Sequence, residues 1–335
     1  MRRLLSVITL VLAAGTLSPA ATVLAADHRV TPSPQRFGVR LVDIPVVEAG
    51  NPRALRYIVD YLPTGTVIHR RIMVMNQEAR TGHFTVYADA AQISHGLFTG
   101  EAGGTPNELT GWITVQNRTL TLPAHGYKMD MITIKVPPGA TRGEHYGVIW
   151  VQQAAIVRAS DGFAIDDVAR VGIRIYLAVG HGGAPPTSFA ITSITAHRSA
   201  SGQPSLLVHV DNTGGRAVDL NGTARLSGGP GNTGAGPFPA RQIVTLAPGQ
   251  SGNITFGPPK SLPNGPWRAK VSLVSGITTA GATATVAFAA GVQAQSGLSF
   301  TTWLGLALGV MVAALIAVAF ALRQRRAAAR HDEAL

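Results

Sequence analysis

From Phe37 onward the apolar residues arrive in short runs rich in Val, Ile and Thr, cut by Pro/Gly clusters about every 8 to 15 residues. That rhythm excludes most folds, because a helix needs apolar positions three and four apart and a βαβ unit needs long helical inserts between its strands. The run 70–76 puts Ile72 and Val74 on one face, and 83–88, 129–136 and 148–152 read the same way. Turns at Pro63-Thr64-Gly65 and Pro137-Pro138-Gly139 separate them. The expected fold class is all-β: two immunoglobulin-like β-sandwich domains in tandem, followed by one C-terminal transmembrane helix.

The strand expected at 168–179 runs into Gly180-His181-Gly182-Gly183-Ala184-Pro185-Pro186, a composition for a linker. The expected sandwiches are therefore 36–182 and 187–290. The second repeats the grammar of the first, with strands at 206–210, 217–226 and 268–274 and turns at Asp211-Asn212-Thr213-Gly214 and Ala247-Pro248-Gly249. In the first, Val74-Met75-Asn76-Gln77 and Leu122-Pro123-Ala124-His125-Gly126 stand in the same order. Asn and Asp beside Gly at strand ends are expected as left-handed turn residues. With no cysteine in the chain, disulfides, thiolate metal sites and cysteine nucleophiles are excluded, and stability has to come from packed sheets.

The two ends carry addresses. Met1-Arg2-Arg3, an apolar run to Ala14 and the small residues before Ala25 and Ala26 make a secretory signal peptide over 1–26. After a Gly/Ser/Gln stalk at 291–302, residues 303–322 hold no charge and are long enough for one membrane span. Arg323, Arg325, Arg326 and Arg330 follow in the tail 323–335, which the positive-inside rule places in the cytoplasm. The expected localisation is thus a single-pass cell-membrane protein with an extracellular body. Its small-residue stripe Gly305, Gly309, Ala313, Ala317 and Ala321 could pack two helices or arise from Ala-rich composition.

Of the net charge of +11, residues 27–297 carry +7, spread singly with no dense run, so nucleic acid is not an expected partner. Arg outnumbers Lys by 24 to 4 and Ala and Gly abound, a bias of GC-rich genomes that suggests a Gram-positive actinobacterial source.

Catalysis without a cofactor needs a nucleophile with a base, paired carboxylates or a metal set. None is recognisable: Gly249-Gln250-Ser251-Gly252-Asn253 lacks the second glycine of a nucleophile elbow, and no His-Glu-x-x-His occurs. No catalytic residue, metal or cofactor is expected. The richest polar cluster, Arg142-Gly143-Glu144-His145-Tyr146-Gly147, puts Glu144 and His145 on opposite faces of a strand; Tyr146 is expected to pack with Trp150 while Glu144 caps the turn. The Gly-rich loop 98–112 ends in Trp112, which suits either a sugar-stacking platform, with Asn107 and Glu108 as hydrogen-bonding partners, or buried core.

Phe37-Gly38-Val39-Arg40, Val74-x-Asn76, Phe84-x-Val86-Tyr87-x-Asp89-Ala90, Asn107-Glu108-Leu109 with Trp112, and Val136-Pro137-x-x-Ala140-x-x-Gly143-Glu144-x-Tyr146-Gly147 together resemble the peptidoglycan-binding domain of the WxL-interacting proteins, in their actinobacterial branch. The resemblance implies an N-terminal sandwich that binds peptidoglycan, a second that engages a WxL-type or other surface protein, and a helical anchor. It makes Asn107, Glu108, Trp112, Glu144 and Tyr146 the expected peptidoglycan-binding residues. The expected function is a non-catalytic, membrane-anchored cell-surface adaptor; the alternatives are a structural stalk or subunit of a membrane assembly and, third, a cell-wall hydrolase.

Overall fold

Alternation of buried and exposed side chains runs through nearly every strand. A computed structural model describes residues 36–158 and 164–289. The first ten strands are β1 (Phe37–Leu41), β2 (Ile58–Leu62), β3 (Val67–Asn76), β4 (Gly82–Ser94), β5 (Leu97–Gly100), β6 (Ile113–Val115), β7 (Thr119–Leu122), β8 (Tyr127–Lys135), β9 (Gly143–Arg158) and β10 (Ala164–Val179). They make one sheet in the order β1-β3-β8-β6 and another in the order β2-β10-β9-β4-β5, with β7 also on β4. Every pairing is antiparallel except β10 with β2.

The remaining strands are β11 (Phe189–Arg198), β12 (Pro204–Asn212), β13 (Val218–Gly229), β14 (Thr233–Pro239), β15 (Val244–Leu246), β16 (Ser251–Phe256), β17 (Gly265–Ser275) and β18 (Thr278–Phe288). They form a three-stranded sheet, β11-β12-β16, and a second in the order β14-β13-β17-β18, with β15 on β13. The all-β class expected from the sequence is thus what the described residues adopt.

Two main cores follow from the inward residues. One gathers Ile72, Val74, Phe84, Val86, Ile132, Ile134, Val151 and Ile175; the other gathers Val208, Leu226, Phe256, Trp267, Val271 and Phe288. Burying each such aliphatic or aromatic side chain contributes roughly 1.5–3 kcal/mol, and this replaces the disulfides that a chain without cysteine lacks.

The strand-end asparagines do something the sequence did not suggest. Neither Asn76 nor Asn212 has a positive φ. Each is buried and pins the end of its strand to a neighbouring turn through its side chain. Asn76 Nδ2 donates to the carbonyls of Arg80, Leu122 and Pro123, while its Oδ1 accepts from the Glu78 amide. Asn212 Nδ2 donates to the carbonyls of Arg216 and Leu246, while its Oδ1 accepts from the Gly214 amide. An amide side chain offers two donors and an acceptor without charge, enough to satisfy groups of two loops at once.

Among the described residues no helix is long and apolar enough to cross a membrane; the helical pieces are turns of three residues at Val46–Glu48, Thr110–Trp112 and Pro230–Asn232. The leader 1–26, the stalk 291–302, the expected span 303–322 and the tail 323–335 lie outside the described residues. The single-pass membrane placement is corrected accordingly: no helix among the described residues supports it, and it takes no part in the functional reading below.

Candidate functional site

The densest polar chemistry lies where β13 meets the sheet of β9 and β10. Asp219, on β13, is its hub. Its Oδ2 receives Arg53 Nε at 2.7 Å, and its Oδ1 accepts from Tyr176 OH at 3.0 Å and Thr245 Oγ1 at 2.7 Å. Arg174 Nη1 stands 3.6 Å from the same Oδ1, and the Asp219 amide donates to Ser275 Oγ. Arg53 and Asp219 are each only 7 % exposed. Arg53 also donates through Nη1 to the Ala217 carbonyl and lies 4.5 Å over the Tyr176 ring. Arg174 is stacked between Tyr57 and Phe98, 5.3 and 4.8 Å from their centroids. A planar guanidinium that accepts an aromatic on its face and a carboxylate on its edge suits such a dry contact; a lysine would not.

Glu144 closes the same junction from β9. Its Oε2 accepts from the Ala217 amide at 2.6 Å and from Tyr146 OH at 2.7 Å. Tyr146 in turn sits edge-on to Phe98 and Tyr176. Further across, Arg216 pairs with Glu48 at 3.2 Å, the Thr245 amide donates to the Gly96 carbonyl, and Gln250 Nε2 donates to the Ile93 carbonyl. An apolar cluster of Ala54, Val59, Ile93, Tyr176 and Ala217 fills the space beneath. The ion pairs, the aromatic cluster and the backbone bonds fix the two sets of sheets against one another.

Burial raises the Glu144 carboxyl above its ordinary value, against the hydrogen bonds from Tyr146 and the Ala217 amide. A carboxyl raised in this way holds its proton more tightly folded than unfolded. Its protonated form therefore favours folding, and that contribution is lost as pH climbs from the ordinary carboxylate value through the raised one. Glu144→Gln, which keeps a neutral acceptor, is expected to gain in Tm relative to the parent as pH rises across that window. A difference in Tm that stays constant with pH would contradict this account of Glu144.

The five residues expected to bind a ligand are brought close together, and most of their polar atoms are engaged inside the chain. Asn107 Nδ2 donates to the Tyr146 carbonyl and its Oδ1 accepts from the Thr110 amide. Glu108 accepts from the Thr141 amide. Trp112 is in the core, its ring 4.8 Å from that of His145 and inclined to it by 62°. Tyr146 packs with Phe98 and Tyr176, whereas the Trp150 indole donates to the Glu101 carbonyl. A cavity of about 380 Å³ does open at the loop, lined by Tyr87, Thr105, Asn107, Thr110, Ile113 and Arg118.

A second feature is an open strand edge. The ladder of β18 pairs it with β17 alone, and although β11 runs beside it, β11 bonds to β12. β17 and β18 are joined by the two-residue turn Gly276-Ile277, with Gly276 at φ 61° as a tight hairpin requires. Such a turn makes Ser275 and Thr278 a bonded pair, so Thr279, Gly281, Thr283, Thr285 and Ala287 direct their backbone N–H and C=O groups away from β17. The hairpin tip is held at the junction: Ser275 is buried on Asp219, and a Cβ at Gly276 would lie 2.5 Å from Asn51 Oδ1.

No protein-family model and no curated protein matches the chain. Among solved structures it is similar to the YadV chaperone, at 10% identity and a TM-score of 0.40 over 75% of this chain and all of that one. It is also similar to the SafB chaperone in complex with the SafA pilin of Salmonella enterica, at 11% identity and 0.41 over 75% and 99% of the two chains. The CupB2 chaperone of Pseudomonas aeruginosa matches at 10% and 0.37 over 70% and 97%.

These findings correct the family resemblance. Membership of the WxL-interacting family finds no match among family models or curated proteins, and the solved structures named above are described as chaperones. The peptidoglycan and WxL partners, the membrane-anchored adaptor function and the Gram-positive actinobacterial source rested on that resemblance or on composition, and they fall with it. The physical reason is that the motif residues are sandwich grammar: Asn76 pins a strand end, Trp112 fills core, and Glu144 and Tyr146 build an internal junction. Residues chosen by packing recur in unrelated sandwiches.

Proposed function

We propose that the chain is an exported, non-catalytic binding scaffold. Two immunoglobulin-like sandwiches in tandem, 36–182 and 187–290, are locked by the Asp219 junction and hold a segment of a protein partner along the free edge of β18. The observation that carries this reading is the edge itself. It is eleven residues long, Thr-Thr-Ala-Gly-Ala-Thr-Ala-Thr-Val-Ala-Phe, with no charge and no proline to discourage pairing. Its inward side chains Ala280 and Ala284 are small and pack on the same core as Ile191 and Ile194 of β11, which makes this seam the place where apolar side chains of an added strand would be read. Backbone bonds would supply affinity and this seam would supply selectivity. The chemistry supports a holder and not a catalyst, because Glu144 and Asp219, the most buried acids of the junction network, are engaged in bonds that fix the fold.

A photo-crosslinking side chain at 283 is expected to form an adduct with a polypeptide from the exported fraction, and the same group at exposed Arg225 of β13 is not. Thr283→Pro removes an outward N–H and leaves the β17 ladder intact, so it is expected to abolish capture while changing stability by less than about 1 kcal/mol. Equal capture by the proline variant would refute strand addition at this edge.

A further inference from the structure

The outer face of the sheet β1-β3-β8-β6 carries four of the six methionines in the chain. Met73 faces Met129 across the β3/β8 ladder, Met75 faces Tyr127, and Met131 faces Arg71. On the other side, Arg40 of β1 is opposite Met73, and Gly38 opposite Met75 leaves the thioether room to lie flat. The inward residues of the same strands, Ile72, Val74, Ile132 and Ile134, are β-branched and fully buried. Ile and Val therefore fill the core, and Met is confined to the side that faces solvent, where Tyr127 is 66%, Val67 45% and Met129 40% exposed.

Alternating strands put polar residues on a solvent face, and Thr is the usual choice at such positions. A row of unbranched, polarisable thioethers there instead makes a soft apolar surface that can adapt to different shapes. The rim is cationic: Arg40, Arg71 and Lys135 point outward, with Asp43 as the acid that pairs with Arg71. Tyr, Met and Arg are the residues enriched at protein interfaces. The excess of positive charge disfavours a second copy of the same face and complements an acidic partner.

We propose that this methionine face is a second docking surface, distinct from the β18 edge, and that its occupant is a protein segment presenting apolar side chains flanked by Asp and Glu. The apolar side chains lie on Met73, Met75, Met129 and Met131, and the carboxylates meet Arg40 and Lys135.

The test uses the full chain with its methionine ε-methyl groups labelled with carbon-13, titrated with a designed amphipathic Leu/Glu peptide, its Leu/Lys counterpart and phosphatidylglycerol vesicles. Saturable shifts of the four face methyls with the Leu/Glu peptide only are expected. Met73→Thr/Met129→Thr is expected to weaken that binding at least tenfold, and Arg40→Glu/Lys135→Glu to transfer the preference to the Leu/Lys peptide. Still methyls, equal response to both peptides, response to vesicles alone, or shifts that depend only on protein concentration would each overturn the proposal.

Discussion

Asp219→Ala is expected to destabilise the chain by about 3–5 kcal/mol, the range seen when one member of a buried ion pair is removed. The size follows from what is left behind. Arg53 is 7 % exposed and already carries one buried Nη2 without a partner; without Asp219 its charge keeps the Ala217 carbonyl, the Tyr176 ring and the field of the Glu144 carboxyl, with no carboxylate in direct contact. Tyr176 OH and Thr245 Oγ1 lose their acceptor in the same step. A buried pair is not in itself a large net stabiliser, because desolvation offsets most of the attraction. The double replacement Arg53→Met/Asp219→Leu is therefore expected to recover much of the loss. Urea denaturation followed through its midpoint measures both. A loss below about 1 kcal/mol for Asp219→Ala, the value of a solvated surface pair, would mean that the junction is open to water.

Trp112→Ala is expected to cost about 3–5 kcal/mol, as for other buried aromatic truncations. The indole is 7 % exposed, belongs to the same core cluster as Leu109 and Val115, and leans on His145. Removing it leaves a void beneath the Thr110–Trp112 turn that flat strands cannot collapse to fill. A drop in the thermal midpoint together with loss of near-ultraviolet dichroism is the expected signature. Unchanged stability would instead place the ring at the surface as a platform.

The strand pattern was legible because alternation needs only neighbours in sequence. The runs 70–76, 83–88 and 148–152 lie inside β3, β4 and β9, and 268–274 lies inside β17. The Asp219 junction was not legible. Arg53 and Asp219 are 166 positions apart, and single charges scattered along strands look the same in sequence whether they face water or each other. Glu144 shows this clearly: expected to cap its own turn, it caps the amide of Ala217, 73 residues away. β14 was hidden by its glycines and prolines, which favour a loop in any local reading. β18 was legible only as a last strand before the stalk, since Thr, Ala and Gly give too little hydrophobic contrast to set its bounds. The methionine face was visible as a count of residues and invisible as a surface, because register across β3 and β8 decides which side they share.

Amide hydrogen exchange along β18, resolved residue by residue, tests the open edge most directly. Alternation is expected in the free protein: rapid exchange at Thr279, Gly281, Thr283 and Thr285, slow exchange at Ala280, Ala282 and Ala284, and protection of the rapid set when a partner strand is bound. Uniform slow exchange along the whole strand in the free protein would show that the edge is already paired and would contradict the account.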